Sequence, residues 1–163
     1  MKTITFYRRW TFLVLIASFL CLKPGWAAEG LATSFVGTVL REVPLGVTQE
    51  IIYKDRHGIT VHNLGDMPLM VTISVLVPSP DQLRKGAQPI PDTHWIVVSP
   101  TQFSLEGHAS RTVGAWIKVP AERPYRQKHF QAMVWIRGAP ADANGITLAA
   151  GLLTRLRIKT ARR

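Results

Sequence analysis

The chain has a single cysteine, Cys21, in 163 residues, which excludes any disulfide within it. Acidic residues are also scarce, 10 against 20 Lys and Arg, for a formal net charge of +10. No apolar run reaches the ~20 residues that a helix needs to cross a hydrocarbon core; the run from Trp10 to Leu22 has 13. Missing too are a P-loop, a G-x-G-x-x-G turn and a G-x-S-x-G elbow. Nucleotide-cradling and serine-hydrolase chemistry therefore lack their usual sequence carriers.

The layout of the first 28 residues is that of a secretory signal peptide. A basic start (Lys2, Arg8, Arg9) precedes the short apolar run, and Lys23-Pro24-Gly25-Trp26-Ala27-Ala28 follows it. Small residues at Gly25 and Ala27 favour cleavage after Ala27, with Ala28 the second choice because Trp26 is bulky at the third position back. The expected organisation is a signal peptide over 1–27 and one domain over 28–163, periplasmic or secreted. Two variants stand beside ordinary export: Arg8-Arg9 ahead of Phe12-Leu13 looks like a twin-arginine signal, and Cys21 like a lipoprotein cysteine. Cleavage would remove the cysteine and four cations. What remains is 136 residues with 16 basic and 10 acidic side chains, net +6, with no membrane span and enough chain for one core.

Periodicity over the remaining chain is that of strands. The runs are 33–42, 49–53, 58–63, 69–77, 95–105, 111–119, 129–137 and 146–160. Side chains alternate between faces along a strand, so Leu69, Val71, Ile73, Val75 and Val77 share one face, as do Val113, Ala115, Ile117 and Val119. Phe130, Ala132, Val134 and Ile136 do likewise. In the last run the apolar residues Ile146, Leu148, Ala150, Leu152, Leu156 and Ile158 are even and Arg155, Arg157 and Lys159 odd. Turn formers at Asp55-Arg56-His57-Gly58, Asn63-Leu64-Gly65-Asp66, Glu106-Gly107 and Gly138-Ala139-Pro140 separate the runs. Pro78, Pro80, Pro89 and Pro91 make 78–93 a long connection, with one helical turn at Asp81 to Lys85. Seven to eight mostly antiparallel strands in one immunoglobulin-like sandwich are expected, an all-β fold.

The pieces Gly58-Ile59-Thr60-Val61-His62-Asn63-Leu64-Gly65-Asp66-Met67-Pro68, Trp95-Ile96-Val97-Val98-Ser99-Pro100, Phe103-Ser104-Leu105 and Val119-Pro120 resemble exported bacterial immunoglobulin-like or fibronectin type III-like domains. More distantly, the chain is similar to the N-terminal domain of periplasmic pilus chaperones. That likeness implies strand addition to a pilus subunit, with main-chain hydrogen bonds supplying affinity. From that pattern two departures are expected: no second domain within these 136 residues, and no match for the two basic anchors that hold a subunit's terminal carboxylate.

Little supports catalysis. The histidines His57, His62, His94, His108 and His129 are scattered, and His57 and His62 sit on opposite sides of a turn. Zinc needs three or four converging ligands, and no spacing here supplies them; no metal and no cofactor is expected. Acids are dispersed and mostly at turns, whereas glycoside hydrolysis needs two facing carboxylates. The protein is expected not to be an enzyme, nor to bind nucleic acid, for want of a groove-reading element or stacking platform.

Two features point to binding. Arg155, Arg157 and Lys159 form a cationic stripe, extended by Arg162 and Arg163, with no acid after Asp142. Such a stripe attracts acidic polysaccharide, lipid head groups or an acidic protein face; alternatively it protects a strand edge from aggregation. Trp116 and Trp135 fall opposite the aliphatic sets of their strands, where an aromatic anchors a partner or is covered by another segment. Met133, Trp135, His129, Gln131 and Arg137 share one mixed surface. The expected function is an exported, non-catalytic binding or structural module, an accessory part of a periplasmic or cell-surface assembly with an envelope protein as partner. A pilus-type chaperone and an acidic-polysaccharide module are the alternatives.

Overall fold

A computed structural model describes residues 30–140 and 149–162. The expected signal peptide, Cys21, Asp142, Ile146, Leu148 and Arg163 lie outside the described residues. Thirteen strands occur among the described residues. They are β1 (Leu31–Thr33), β2 (Thr38–Val43), β3 (Thr48–Glu50), β4 (Ile52–Tyr53), β5 (Arg56–His57), β6 (Ile59–Asn63) and β7 (Leu69–Leu76), then β8 (Gln88–Pro89), β9 (Ile96–Ser99), β10 (Gln102–Leu105), β11 (Ser110–Lys118), β12 (His129–Pro140) and β13 (Ala150–Thr160).

The count exceeds the expected seven to eight because single runs serve two partners. The run 33–42 breaks at Ser34–Gly37, where Gly37 has φ +62°, so that β1 joins one sheet and β2 the other. The run 95–105 breaks at the cis Ser99-Pro100 bond, and β9 and β10 again belong to different sheets. Periodicity reports facing, not which sheet a segment joins. Two further corrections concern turns. Gly138-Ala139-Pro140 is not a turn but the end of β12, paired with Leu69–Val71 of β7. The connection 78–93 carries a 3₁₀ turn at Pro80–Gln82 and contributes β8, which lies parallel to Phe130 and Gln131.

The first sheet runs β1-β6-β11-β3, with β9 also against β11; the second runs β10-β7-β12-β13-β2, with β8 against β12. Most pairings are antiparallel, but β2 runs parallel to β13. Between the two sheets lies one core, and alternation put the right residues in it. Val71, Ile73, Val113, Ala115, Ile117, Phe130, Ala132, Val134, Ile136, Leu156 and Ile158 are all buried. Each large aliphatic so placed stabilises the fold by about 1.5–3 kcal/mol. Trp95 plugs one end, edge-on to Tyr125 at 4.8 Å and to Phe130 at 5.3 Å between ring centroids.

At the other end, buried Asn63 explains the Asn63-Leu64-Gly65-Asp66 turn. Its amide donates to the carbonyls of Met67, Leu105 and Glu106 and its oxygen accepts from Gly65 N–H. One side chain thus ties the β6–β7 turn to the turn after β10. Gly107 in the latter has no alternative: a Cβ there would lie 2.3 Å from the Asp66 carbonyl oxygen.

Candidate functional site

The outward residues of the second sheet form rows across its strands. From one end they read Thr72, Arg137, Gly151; then Ser74, Trp135, Leu153; then Leu76, Met133, Arg155; then Gln131, Arg157, Val39; and last His129 with Lys159. Alternation along β12 and β13 puts all of them on one face, opposite the core.

Tertiary structure divides this face in two. The 78–89 segment folds back on Gln131, whose side-chain nitrogen donates to Gln82 O at 2.8 Å and whose oxygen accepts from Arg84 N–H at 3.0 Å. Met133, in contact with Gln131 through its sulfur at 3.7 Å, is only 3% exposed. The expected mixed surface is therefore corrected: Gln131 and Met133 are covered and belong to the interior. Trp135 is not covered. It is 38% exposed, its row neighbour Leu153 is 47% exposed, and Leu76 is 36% exposed.

The indole of Trp135 is held in place by its neighbours. The Arg137 guanidinium lies 5.4 Å from its ring centroid, a cation–π contact, and its Nε1 rests beside Gly151, where a Cβ would stand 3.2 Å away. Arg155 is half-buried, with Nε buried and without a hydrogen-bond partner among the described residues. Arg157 is exposed and Lys159 half-buried. Below them a depression of about 610 Å³ is lined by Arg41, Glu42, Gln127, His129, Lys159, Thr160 and Arg162. Arg41 and Arg162 extend the cationic stripe sideways onto β2 and past the end of β13. Arg41 carries no local sequence signal for this, because only the parallel β2–β13 pairing brings it there.

Trp116 is elsewhere. It lies on the outward face of the first sheet, between Val97 and Glu50, with its ring across Gly114: a Cβ at 114 would fall 2.1 Å from the ring. The two tryptophans therefore occupy opposite outer faces and do not form one site. Beside Trp116 the polar groups satisfy one another, His57 Nδ1 with Glu50 Oε2 at 2.8 Å and the Thr60 and Thr112 hydroxyls at 2.9 Å.

The second feature is an edge. On one side β13 pairs with β12 along its whole length, Ala150 to Lys159. On the other, β2 pairs only from Leu156 onward. Ala150–Arg155 thus present an unpaired strand edge among the described residues, while Arg157 and Lys159 lie within a paired stretch where an edge-protecting charge has nothing to protect.

Three histidines pair with acids at separate turns: His57 with Glu50, His94 with Asp92 and His108 with Asp66. The Asp92 carboxyl is held below the usual carboxylate range, chiefly by the backbone N–H of His94 and then by its imidazole. Among the described residues no three His, Cys, Asp or Glu side chains converge as a metal site would require.

No family model matches the chain, and no curated protein matches it in sequence. Solved structures do match. The PapD-like domain 7 of human CEP192 has a TM-score of 0.58 at 14% identity, over 80% of this chain and 84% of that one. The E. coli chaperone DraB gives 0.53 at 23% identity, over 82% of this chain and 56% of that one. The Salmonella enterica SafA pilin in complex with the SafB chaperone gives 0.54 at 15% identity, over 81% and 55%. The chain spans a little over half the length of the latter two, and it shares with all three a PapD-like immunoglobulin sandwich.

Proposed function

We propose that the protein is a non-catalytic binding module of the bacterial envelope that captures an extended segment of a partner protein by adding it to the free edge of β13. The observation that carries this reading is the half-paired last strand: Ala150–Arg155 offer main-chain donors and acceptors to a partner, while Leu156–Thr160 are closed off by β2. Strand addition of this kind takes its affinity from the main chain and its specificity from alternate side chains. Ala150 and Leu152 point inward and are half-buried beside the core, where a partner's side chains would complete it. Similarity of fold to pilus chaperones supports the same reading and a periplasmic location, with an envelope protein as partner.

Co-expression with a pilus-type subunit that lacks its last strand tests it. A soluble one-to-one complex is expected. Proline at Gly151, Leu152 and Leu153 in turn must abolish it at one position at least, because successive N–H groups alternate between the two sides of a strand. A subunit that stays insoluble with the wild-type chain refutes the proposal.

A further inference from the structure

We infer that the outward face of the second sheet docks on an anionic phospholipid bilayer. Four strands of this sheet together carry charge of one sign. Strands β7, β10, β12 and β13 contain no acidic residue at all, and Arg137, Arg155, Arg157 and Lys159 all point outward from β12 and β13. Glu42 in β2 lines the depression beside Lys159, and Asp81 lies in the 3₁₀ turn of the covering segment. On the open part of the same sheet are the exposed apolar residues Trp135 and Leu153, one row from Arg137 and from Arg155, with Leu76 in the Arg155 row. Arginine and lysine near an anionic leaflet each strengthen partitioning, and a partly exposed indole with exposed Leu153 beside it is suited to the head-group level.

The geometry favours a bilayer over an acidic glycan. A sugar ring stacks on the open face of an aromatic ring, and Arg137 lies over the Trp135 ring at 5.4 Å. The exposed apolar group Leu76, Trp135 and Leu153 crosses three neighbouring strands, a spread that suits a broad apolar surface better than a narrow chain of sugars. Docking would leave the edge of β13 open, since side chains stand perpendicular to a sheet and main-chain hydrogen-bonding groups lie in its plane. The inference does not depend on strand capture.

Hydroxyl-radical footprinting of the full chain tests it residue by residue, so that any membrane binding by the apolar N-terminal run is read separately. Vesicles of phosphatidylcholine, with and without phosphatidylglycerol, are the probe, and Trp116 on the opposite face is the internal control. With phosphatidylglycerol, oxidation of Trp135 and Leu153 should fall several-fold while Trp116 stays unchanged. Replacing Arg155 and Arg157 together by alanine should weaken that protection about 25-fold in lipid concentration, two steps of about fivefold each. The peptides of the core should keep their footprint in the variant. Unprotected Trp135 overturns the inference, whether or not the chain binds, and so does equal protection by neutral vesicles. Equal protection by dextran sulfate overturns it in favour of a soluble polyanion.

Discussion

The two outer faces of the sandwich solve the same problem differently. Both must leave a layer of side chains in water, and both carry a tryptophan near a glycine. On the first sheet Val97 stays exposed, but several outward polar groups find partners: Glu50 with His57 and Thr60 with Thr112, while Trp116 is laid across Gly114. The second sheet has one part roofed by the 78–89 segment and another left open, with a cationic excess on β12 and β13 and Trp135 half-exposed. A face that satisfies its own polar groups has little to offer a partner; a face with a cationic excess and unpartnered apolar area does.

That comparison can be broken within the second sheet first. Met133→Ala should destabilise by about 2–5 kcal/mol, as for a buried methionine, while Leu153→Ala on the same face should stay within about 0.5 kcal/mol. Equal losses in urea unfolding would mean the face is not divided into roofed and open parts. Between the faces, Gly114→Ala should cost about 1–3 kcal/mol, because the new methyl collides with the Trp116 ring. Gly151→Ala should cost less, because its Cβ meets only the edge of Trp135 at 3.2 Å and that ring can move into solvent. Paired thermal melts would show the difference. A double-mutant cycle of Thr60→Val and Thr112→Val should give a coupling of about 0.2–1 kcal/mol, the range of cross-strand pairs. Zero coupling would remove the hydroxyl pair from the account of the first face.

The smallest expected effect concerns Asp92, at the entry to β9. Its carboxyl titrates lower in the folded chain than its ordinary value of 3.8, so its contribution to stability is present above that value and is lost as pH falls through the lower folded value. NMR titration of the Asp92 carboxyl carbon should give a midpoint below 3.8, and His94→Ala should bring it back toward that value.

Much of the fold was legible along the chain. Alternation identified the inward residues of β7, β11, β12 and β13, and the Asn63-Leu64-Gly65-Asp66 turn was marked by its composition. The site was less legible. Arg155, Arg157 and Lys159 were visible as odd positions opposite an even aliphatic set, and Trp135 as an outward aromatic. Nothing local told Trp135 from Met133, two residues apart on one face of one strand, because the difference is made by a segment some fifty residues away that hydrogen-bonds to Gln131. Nor did any local signal join Arg41 to Lys159.

By itself the sequence determined the strand class, the facing of each long strand, the charge sign and the Asn63-Leu64-Gly65-Asp66 turn, since each depends on residues within a few positions of one another. Tertiary structure alone decided which runs split between sheets, that β2 lies parallel to only half of β13, and that one part of an outer face is roofed while the other is bare. Those outcomes rest on contacts between distant segments, whose formation depends on how the whole chain packs around its core.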